Sequence, residues 1–354
     1  MRSESTPQKS ITTDDKVAFL ASTAAYPAAS AEVEVVETHL SWVFLTERYA
    51  YKLKKPIRVR NIDYRTIESR HRNCIREVQL NQRLAPAVYL GVVGLTIDQD
   101  GTFHLGGTGR TVDWLVKMRR LPADRTLEHG IVAGTLQQED IDAIAHRLSR
   151  FYRDAPRIPV STEHYWESLK TQTAEIHRQL LQPVYVLDTE IVEQISATLL
   201  GFLDRARDLF TARAQSGHIV EGHGDLRPEH IYLCDEPIIV DCLEFDPQLR
   251  ILDPASELAF LAMECERLDA PHVGDRLFDV YRNETGDNPP NSLIVFHKGM
   301  HAYIRARIAI SHFDDREVRQ PEKWRKRTER YLCLARKYTR SLHSDSPGFM
   351  SFPG

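Results

Sequence analysis

The residues with the clearest capacity for chemistry lie in one stretch, VEGHGDLRPEHIYLCDEPIIVDCLEF, from Val220 to Phe245. A short polar loop, His223-Gly224-Asp225, precedes two β-prone runs, and the second of these, Ile238 to Val240, delivers another carboxylate, Asp241. Two acids placed this way suit phosphoryl transfer, in which the protein mostly positions the reactants and neutralises charge. One carboxylate must accept or orient the proton of an attacking hydroxyl, and Asp225 fits that role. The other must hold a divalent cation against the nucleotide phosphates, and Asp241 fits that one.

HGDLRPEH resembles the catalytic loop of the aminoglycoside phosphotransferase family, the small-molecule branch of the protein-kinase-like fold. IVDCLEF resembles the metal-binding strand of that family, and LDPASELAFL is similar to the segment after it, in which Asp253 and Glu257 would brace the loop and His223 would do the same. The likeness is greatest to uncharacterised bacterial members, some of which carry a P-loop ATPase domain behind the kinase-like one. It implies an α+β, bilobal protein-kinase-like fold, with an N-terminal antiparallel sheet and one helix followed by a mainly helical C-terminal lobe. The position five residues after the catalytic aspartate, usually asparagine, is His230 here, so His230 is implied as a metal ligand. Glu244 stands as an alternative to Asp241 or as its co-ligand.

The elements that would position this loop follow from the rest of the chain. Residues 33–38, 41–46 and 49–54 are short runs of Val, Trp, Phe and Tyr between polar turns, and read as strands. By the resemblance, Lys52 on the third strand meets the nucleotide phosphates and pairs with a glutamate on the next helix. Lys54 shares its face by the two-residue period and is the alternative, whereas Lys55 points away. Residues 64–84 read as that helix, with Ile75, Val78 and Leu84 at apolar positions and Glu77 as the partner. The turn between the first two strands, Glu37 to Trp42, contains no glycine, unlike the phosphate loop of kinases.

Residues 89–97 and 111–118 read as two further strands joined by glycine-containing turns. GGTGRT, at 106–111, lacks the lysine of a P-loop and sits between strands, so it reads as a turn. Residues 115–122 resemble the strand ending at the kinase hinge; Met118 would border the adenine, and the backbone of Arg119 to Leu121 would bond it. Helical periodicity then takes over at 141–151, with Thr135 and Gln138 as a possible capping box, and continues at 163–180, 189–214, 254–268, 273–281, 292–312 and 321–343. In the last of these, Trp324, Thr328, Tyr331, Ala335, Tyr338 and Leu342 form one stripe, which predicts a helix docked on a core instead of an RNA-binding surface.

The resulting division is a mobile tail over 1–14, a nucleotide-binding lobe over 15–120, a catalytic and substrate lobe over 121–345, and a tail over 346–354. The chain has 354 residues, is 42% hydrophobic and carries a formal charge of −4, which gives no reason to expect nucleic acid or an anionic membrane as partner. No apolar run approaches a membrane span, and the polar start has no signal-peptide core, so a cytoplasmic location is expected. The five cysteines form no CxxC pair. The expected function is ATP-dependent transfer of phosphate to a hydroxyl of a small metabolite, with magnesium or manganese. The competing expectation is a nucleotide-binding pseudokinase acting as a regulatory module, favoured by His230 and the glycine-free turn.

Overall fold

A computed structural model describes residues 11–26, 32–59, 62–314 and 320–344. The expected tail over 346–354, and most of the one over 1–14, lie outside these residues. The chain divides into two compact units, one running to Ala123 and including Ile238–Pro247, the other comprising Asp124–Pro237 and the residues from Gln248 onward.

In the first unit, helix α1 (Thr13–Leu20) takes in Thr13 and Asp14, the end of the expected tail, because Thr12 and Asp15 cap its amino end reciprocally. Strands β1 (Glu34–Glu37), β2 (Ser41–Leu45) and β3 (Tyr49–Lys54) follow, then the two-residue pair β4 (Arg58–Val59) and β5 (Ile62–Asp63). Helix α2 (Ile67–Asn81) starts where Thr66 Oγ1 accepts the Ser69 N–H. Strands β6 (Tyr89–Ile97), β7 (Phe103–Leu105) and β8 (Arg110–Arg119) complete an antiparallel sheet of order β1-β2-β3-β8-β6-β7. Between the turns expected at 98–101 and 106–109, the three residues of β7 pair Leu105 with Leu95 and Phe103 with Ile97.

The inward residues of this sheet alternate as the pleat requires. Phe44, Tyr51, Leu53, Leu95, Val112 and Leu115 form a core with Leu20 and Tyr26 on one side. On the other side, Cys74 and Val78 of α2 pack with Val88, Tyr89 and Val116. Ile75, expected on the apolar face of α2, is instead exposed. A buried ionic clamp ties the helices to the sheet, with Arg70 donating two bonds of 2.8 Å to Asp113 and Lys16 reaching the same carboxylate at 2.8 Å.

The second unit is mainly helical. It contains α3 (Leu127–Ala133), α4 (Gln138–Asp154), α5 (Thr162–Leu180), α6 (Thr189–Arg205) and α7 (Arg207–Gln215), then the short strands β9 (Val220–Glu221) and β10 (Ile231–Tyr232). Strand β11 (Ile238–Ile239) belongs to the first unit, and β12 (Ile251–Leu252) pairs with β9 in the second. Helices α8 (Pro254–Arg267), α9 (Pro271–Thr285), α10 (Asn291–Ile310) and α11 (Pro321–Ser344) follow.

Three helix details differ from expectation. Thr135 and Gln138 do not cap α4; Asp140 does, by accepting the Gln137 N–H. The run 189–214 breaks at Ala206, whose φ of −102° and ψ of 19° leave the helical basin. Trp324 lies off the core stripe of α11, stacked on His312 at 3.6 Å between ring centroids, while Thr328, Tyr331, Ala335, Tyr338 and Leu342 are buried.

Candidate functional site

Strand β3 presents Lys52 and Lys54 on one face, and both meet helix α2. Lys52 Nζ lies 2.8 Å from Glu77 Oε1, and Lys54 Nζ lies 2.5 Å from Glu77 Oε2. The two lysines, offered by the sequence as alternatives for one position, thus bind opposite oxygens of one carboxylate. Glu77 is fully buried, and burial alone would push its carboxyl up; the two ammonium groups outweigh this and hold it below the usual range. Burial likewise opposes the charge on Lys52, yet Asp241, Glu77 and Glu244 raise its ammonium well above the ordinary lysine value.

The segment after β11 completes this cluster from a distant part of the chain. Asp241 Oδ1 is 3.1 Å from Lys52 Nζ, and Glu244 Oε1 is 2.6 Å from Lys54 Nζ. Asp241 has a left-handed backbone, with φ of 63°, an uncommon conformation for a non-glycine residue. Its N–H donates to the Tyr89 hydroxyl at 3.2 Å, and the next N–H, that of Cys242, donates to Asn81 Oδ1 at 2.9 Å. Asn81 in turn donates its amide to the Glu77 carbonyl, so α2 fixes both the backbone of this segment and the lysine partner.

As metal ligands, the expected residues are placed differently from one another. The Asp241 side chain is 47% exposed and offers hard oxygen donors, which suit magnesium or manganese. Glu244 is buried against Lys54. His230 has both ring nitrogens engaged, Nε2 with Arg227 Nη2 at 3.0 Å and Nδ1 with the Asp225 carbonyl at 2.9 Å. An imidazole that accepts at Nε2 and donates from Nδ1 has no lone pair left for a cation. Of the three, Asp241 fits a cation in this arrangement. Among the described residues, no group of three or more His, Cys, Asp or Glu side chains converges on a metal position. One carboxylate, with waters and phosphates as the other ligands, is a usual setting for magnesium.

At the hinge-like end of β8, Met118 pairs in register with Ala50 and Tyr89 and is half-buried beside Val116 and Leu121. The Arg119 N–H donates to the Val88 carbonyl and the Arg120 N–H to the Arg48 carbonyl, each at 2.9 Å. These two donors, expected to be available to an adenine ring, are therefore already used. The turn between β1 and β2 is closed without glycine by Thr38, whose N–H and hydroxyl both donate to the Ser41 carbonyl, at 2.8 and 3.0 Å.

In the second unit, the loop that carries Asp225 is built on a buried carboxylate. Glu257, on the first turn of α8, accepts the His223 N–H at 2.9 Å, the Gly224 N–H at 2.5 Å and the Tyr152 hydroxyl at 2.7 Å. Gly224 has φ of +88°, which only glycine adopts readily. His223 is buried, and its Nδ1 accepts the Asp225 N–H at 3.3 Å, so it braces the loop. Asp253 caps α8 and receives both arms of Arg213 at 2.7 Å.

Arg227 joins the site although it was not among the expected residues. Its Nη2 lies 2.9 Å from Asp225 Oδ2, and its Nη1 bonds Glu229. The signal was available in the motif itself, because a residue two places after an aspartate in a tight loop returns to the same side. Arg305, on α10, is mostly enclosed and makes an interhelical pair with Glu264 of α8 at 3.2 Å.

No protein-family model matches the chain. It is 34% identical over 291 residues to uncharacterised proteins of Mycobacterium tuberculosis and Mycobacterium bovis, covering 79% of this chain and 55% of each relative. The chain thus spans about half the length of the curated relatives it matches. Among solved structures, the GDP complex of aminoglycoside 2'-phosphotransferase-IIIa aligns with a TM-score of 0.52 at 15% identity, covering 93% of this chain and 99% of that one. A thermostable mutant of a second aminoglycoside phosphotransferase aligns with a TM-score of 0.53 at 11% identity, covering 90% and 97%. Choline kinase from Cryptosporidium parvum aligns with a TM-score of 0.51 at 10% identity, covering 93% and 96%. At such identities the likeness is one of fold: the chain has the protein-kinase-like fold of the aminoglycoside phosphotransferases and choline kinases, the one that HGDLRPEH and IVDCLEF resemble.

Proposed function

We propose that this chain is an ATP-dependent phosphotransferase that moves the γ-phosphate to a hydroxyl of a small molecule. The observation that carries the reading is the pairing of Lys52 with Glu77 and Asp241 in one cluster. That cluster combines a cation for phosphate oxygens with a half-exposed carboxylate for a metal. Lys52 would meet the nucleotide phosphates, and Glu77 would fix the direction of its ammonium. Asp241 would hold magnesium or manganese, which when bound neutralises phosphate charge. Asp225 would receive the acceptor hydroxyl; Arg227 holds its Oδ2, which sets the aim of Oδ1.

The acceptor is expected to be a small hydroxylated metabolite. Some neighbours in fold act on aminoglycosides or choline, and one is described in complex with GDP, so GTP belongs beside ATP in any test. A second reading, a nucleotide-binding pseudokinase with a regulatory role, draws on the engaged nitrogens of His230 and the glycine-free turn.

The test is a thermal-shift titration of the full chain with ATP and GTP, in magnesium, in manganese and without metal, repeated on Asp241→Ala. Ligand that binds the folded state raises the melting temperature by mass action. A metal-dependent shift lost in the variant supports the site, and phosphate transfer in a screen of sugars, amino alcohols and nucleosides then separates enzyme from pseudokinase. Absence of any shift would sink both readings.

A further inference from the structure

The cluster around β3 holds a second lysine for which the phosphotransferase reading has no role. Lys54 is 1% exposed, and its Nζ stands between Glu77 Oε2 at 2.5 Å and Glu244 Oε1 at 2.6 Å, with the Tyr64 ring face 5.5 Å away. Together with Lys52, this makes an alternating row of Asp241, Lys52, Glu77, Lys54 and Glu244. Burial disfavours the Lys54 charge, but Glu244 and Glu77 raise its ammonium above the ordinary value. An ammonium has three donors, and two of them here bind carboxylates that belong to segments 23 and 190 residues away.

The consequences are geometric. Glu77 has one oxygen on each lysine, so Lys54 decides the rotation of the carboxylate that aims Lys52. Glu244 lies three residues beyond Asp241, so its bond to Lys54 fixes the register of the segment on which Asp241 stands. The same bond occupies Glu244, the other acid of VDCLEF, and leaves Asp241 as the exposed one. We propose that Lys54 is a positioning residue that sets the nucleotide–metal site by holding Glu77 and Glu244 together, and that it touches neither phosphate nor metal. This rests on the reading that Lys52 and Asp241 serve a metal–nucleotide complex.

A buried ion pair can also be a purely structural feature, and removing one partner strands the other. The discriminating variant is therefore the double replacement Lys54→Met with Glu244→Gln, which leaves no unpaired charge at that end of the row while Glu77 keeps Lys52. The experiment measures urea unfolding without ligand and the binding of a fluorescent ATP analogue over a magnesium series, for the full chain, Lys54→Met, the double variant and Lys54→Arg. In the double variant, stability is expected to return toward that of the parent, while the magnesium concentration needed for nucleotide binding rises about tenfold or more, as for other residues that orient a metal ligand. Nucleotide affinity without metal is expected to change little, and Lys54→Arg, which keeps the charge, to recover part of the metal dependence. Parental magnesium dependence in a stable double variant would overturn the proposal while leaving the phosphotransferase reading intact. Failure of the parent chain to bind nucleotide with any metal would overturn both.

Discussion

The carboxylate of Glu257 accepts the backbone N–H of His223 at 2.9 Å across 34 residues of sequence, and the N–H of Gly224 binds the same group. A buried anion therefore substitutes for the strand partner that this loop lacks, and the direction in which Asp225 leaves the backbone depends on it. Glu257→Gln replaces an all-acceptor group by one whose amide would face N–H donors. It is expected to cost about 2 to 4 kcal/mol, since bonds to a charged partner contribute more than neutral ones and a buried donor left unpaired adds its own penalty. Urea unfolding of the variant reads the loss, and a change below about 0.5 kcal/mol would contradict the bracing role.

Gly222 is held to glycine by contact instead of by backbone angle. A Cβ there would stand 2.6 Å from Glu257 Oε2 and 2.8 Å from Leu252 Cδ1. Glu257 cannot retreat without releasing the loop, so Gly222→Ala is expected to destabilise by about 1 to 3 kcal/mol, the usual cost of overpacking. The same variant should lose activity out of proportion to its population of folded protein, which a comparison of initial rates with unfolding curves at one temperature would reveal.

Much of this arrangement was legible in the sequence because it is local or periodic. The two-residue period of β3 put Lys52 and Lys54 on one face, and the helix expected over 64–84, which spans Ile67–Asn81 in the structure, supplied Glu77. The bond between Lys54 and Glu244 was not legible, because nothing local marks a contact across 190 residues. Nor was the engagement of His230, since the motif gives its position and not the hydrogen bonds that consume its lone pair. The break at Ala206 carries neither glycine nor proline; it arises where the buried stripe of α6 at Phe202 and Leu203 gives way to Phe210 and Ala214 of α7. Strand β7 is three residues long and too short for alternation to show.

Acid should weaken the second unit through His297 and His301. His297 is 1% exposed, edge-on to Phe210 and Phe296, and burial, then the charge of Arg213, lowers its imidazole to about 3. It is neutral when folded and gains a proton when unfolded, near the ordinary value of about 6.5. Because the folded value is the lower one, the stabilisation is full above about pH 6.5 and is lost as pH falls toward about 3. His297 alone is expected to account for about 2 kcal/mol of lost stability between about pH 7 and pH 5. His301, lowered to about 3 by burial and by His297, adds to the same window. Urea midpoints across that range should fall, and His297→Phe, which removes the titrating group, should flatten the fall.

Asp225 and Asp241 should separate cleanly in kinetics if each plays the part assigned to it. The Asp225 carboxylate is held by Arg227, in its own loop. Asp225→Asn preserves size and removes the charge that orients an acceptor hydroxyl, so kcat is expected to fall about 10²- to 10⁴-fold, the range for positioned acid–base groups. The nucleotide-induced rise in melting temperature should survive almost unchanged, since that rise reports binding alone. Asp241→Ala should do the reverse in part, abolishing the metal dependence of nucleotide binding together with turnover. Loss of nucleotide binding in Asp225→Asn, or full turnover in it, would mean that the acceptor role belongs to another residue.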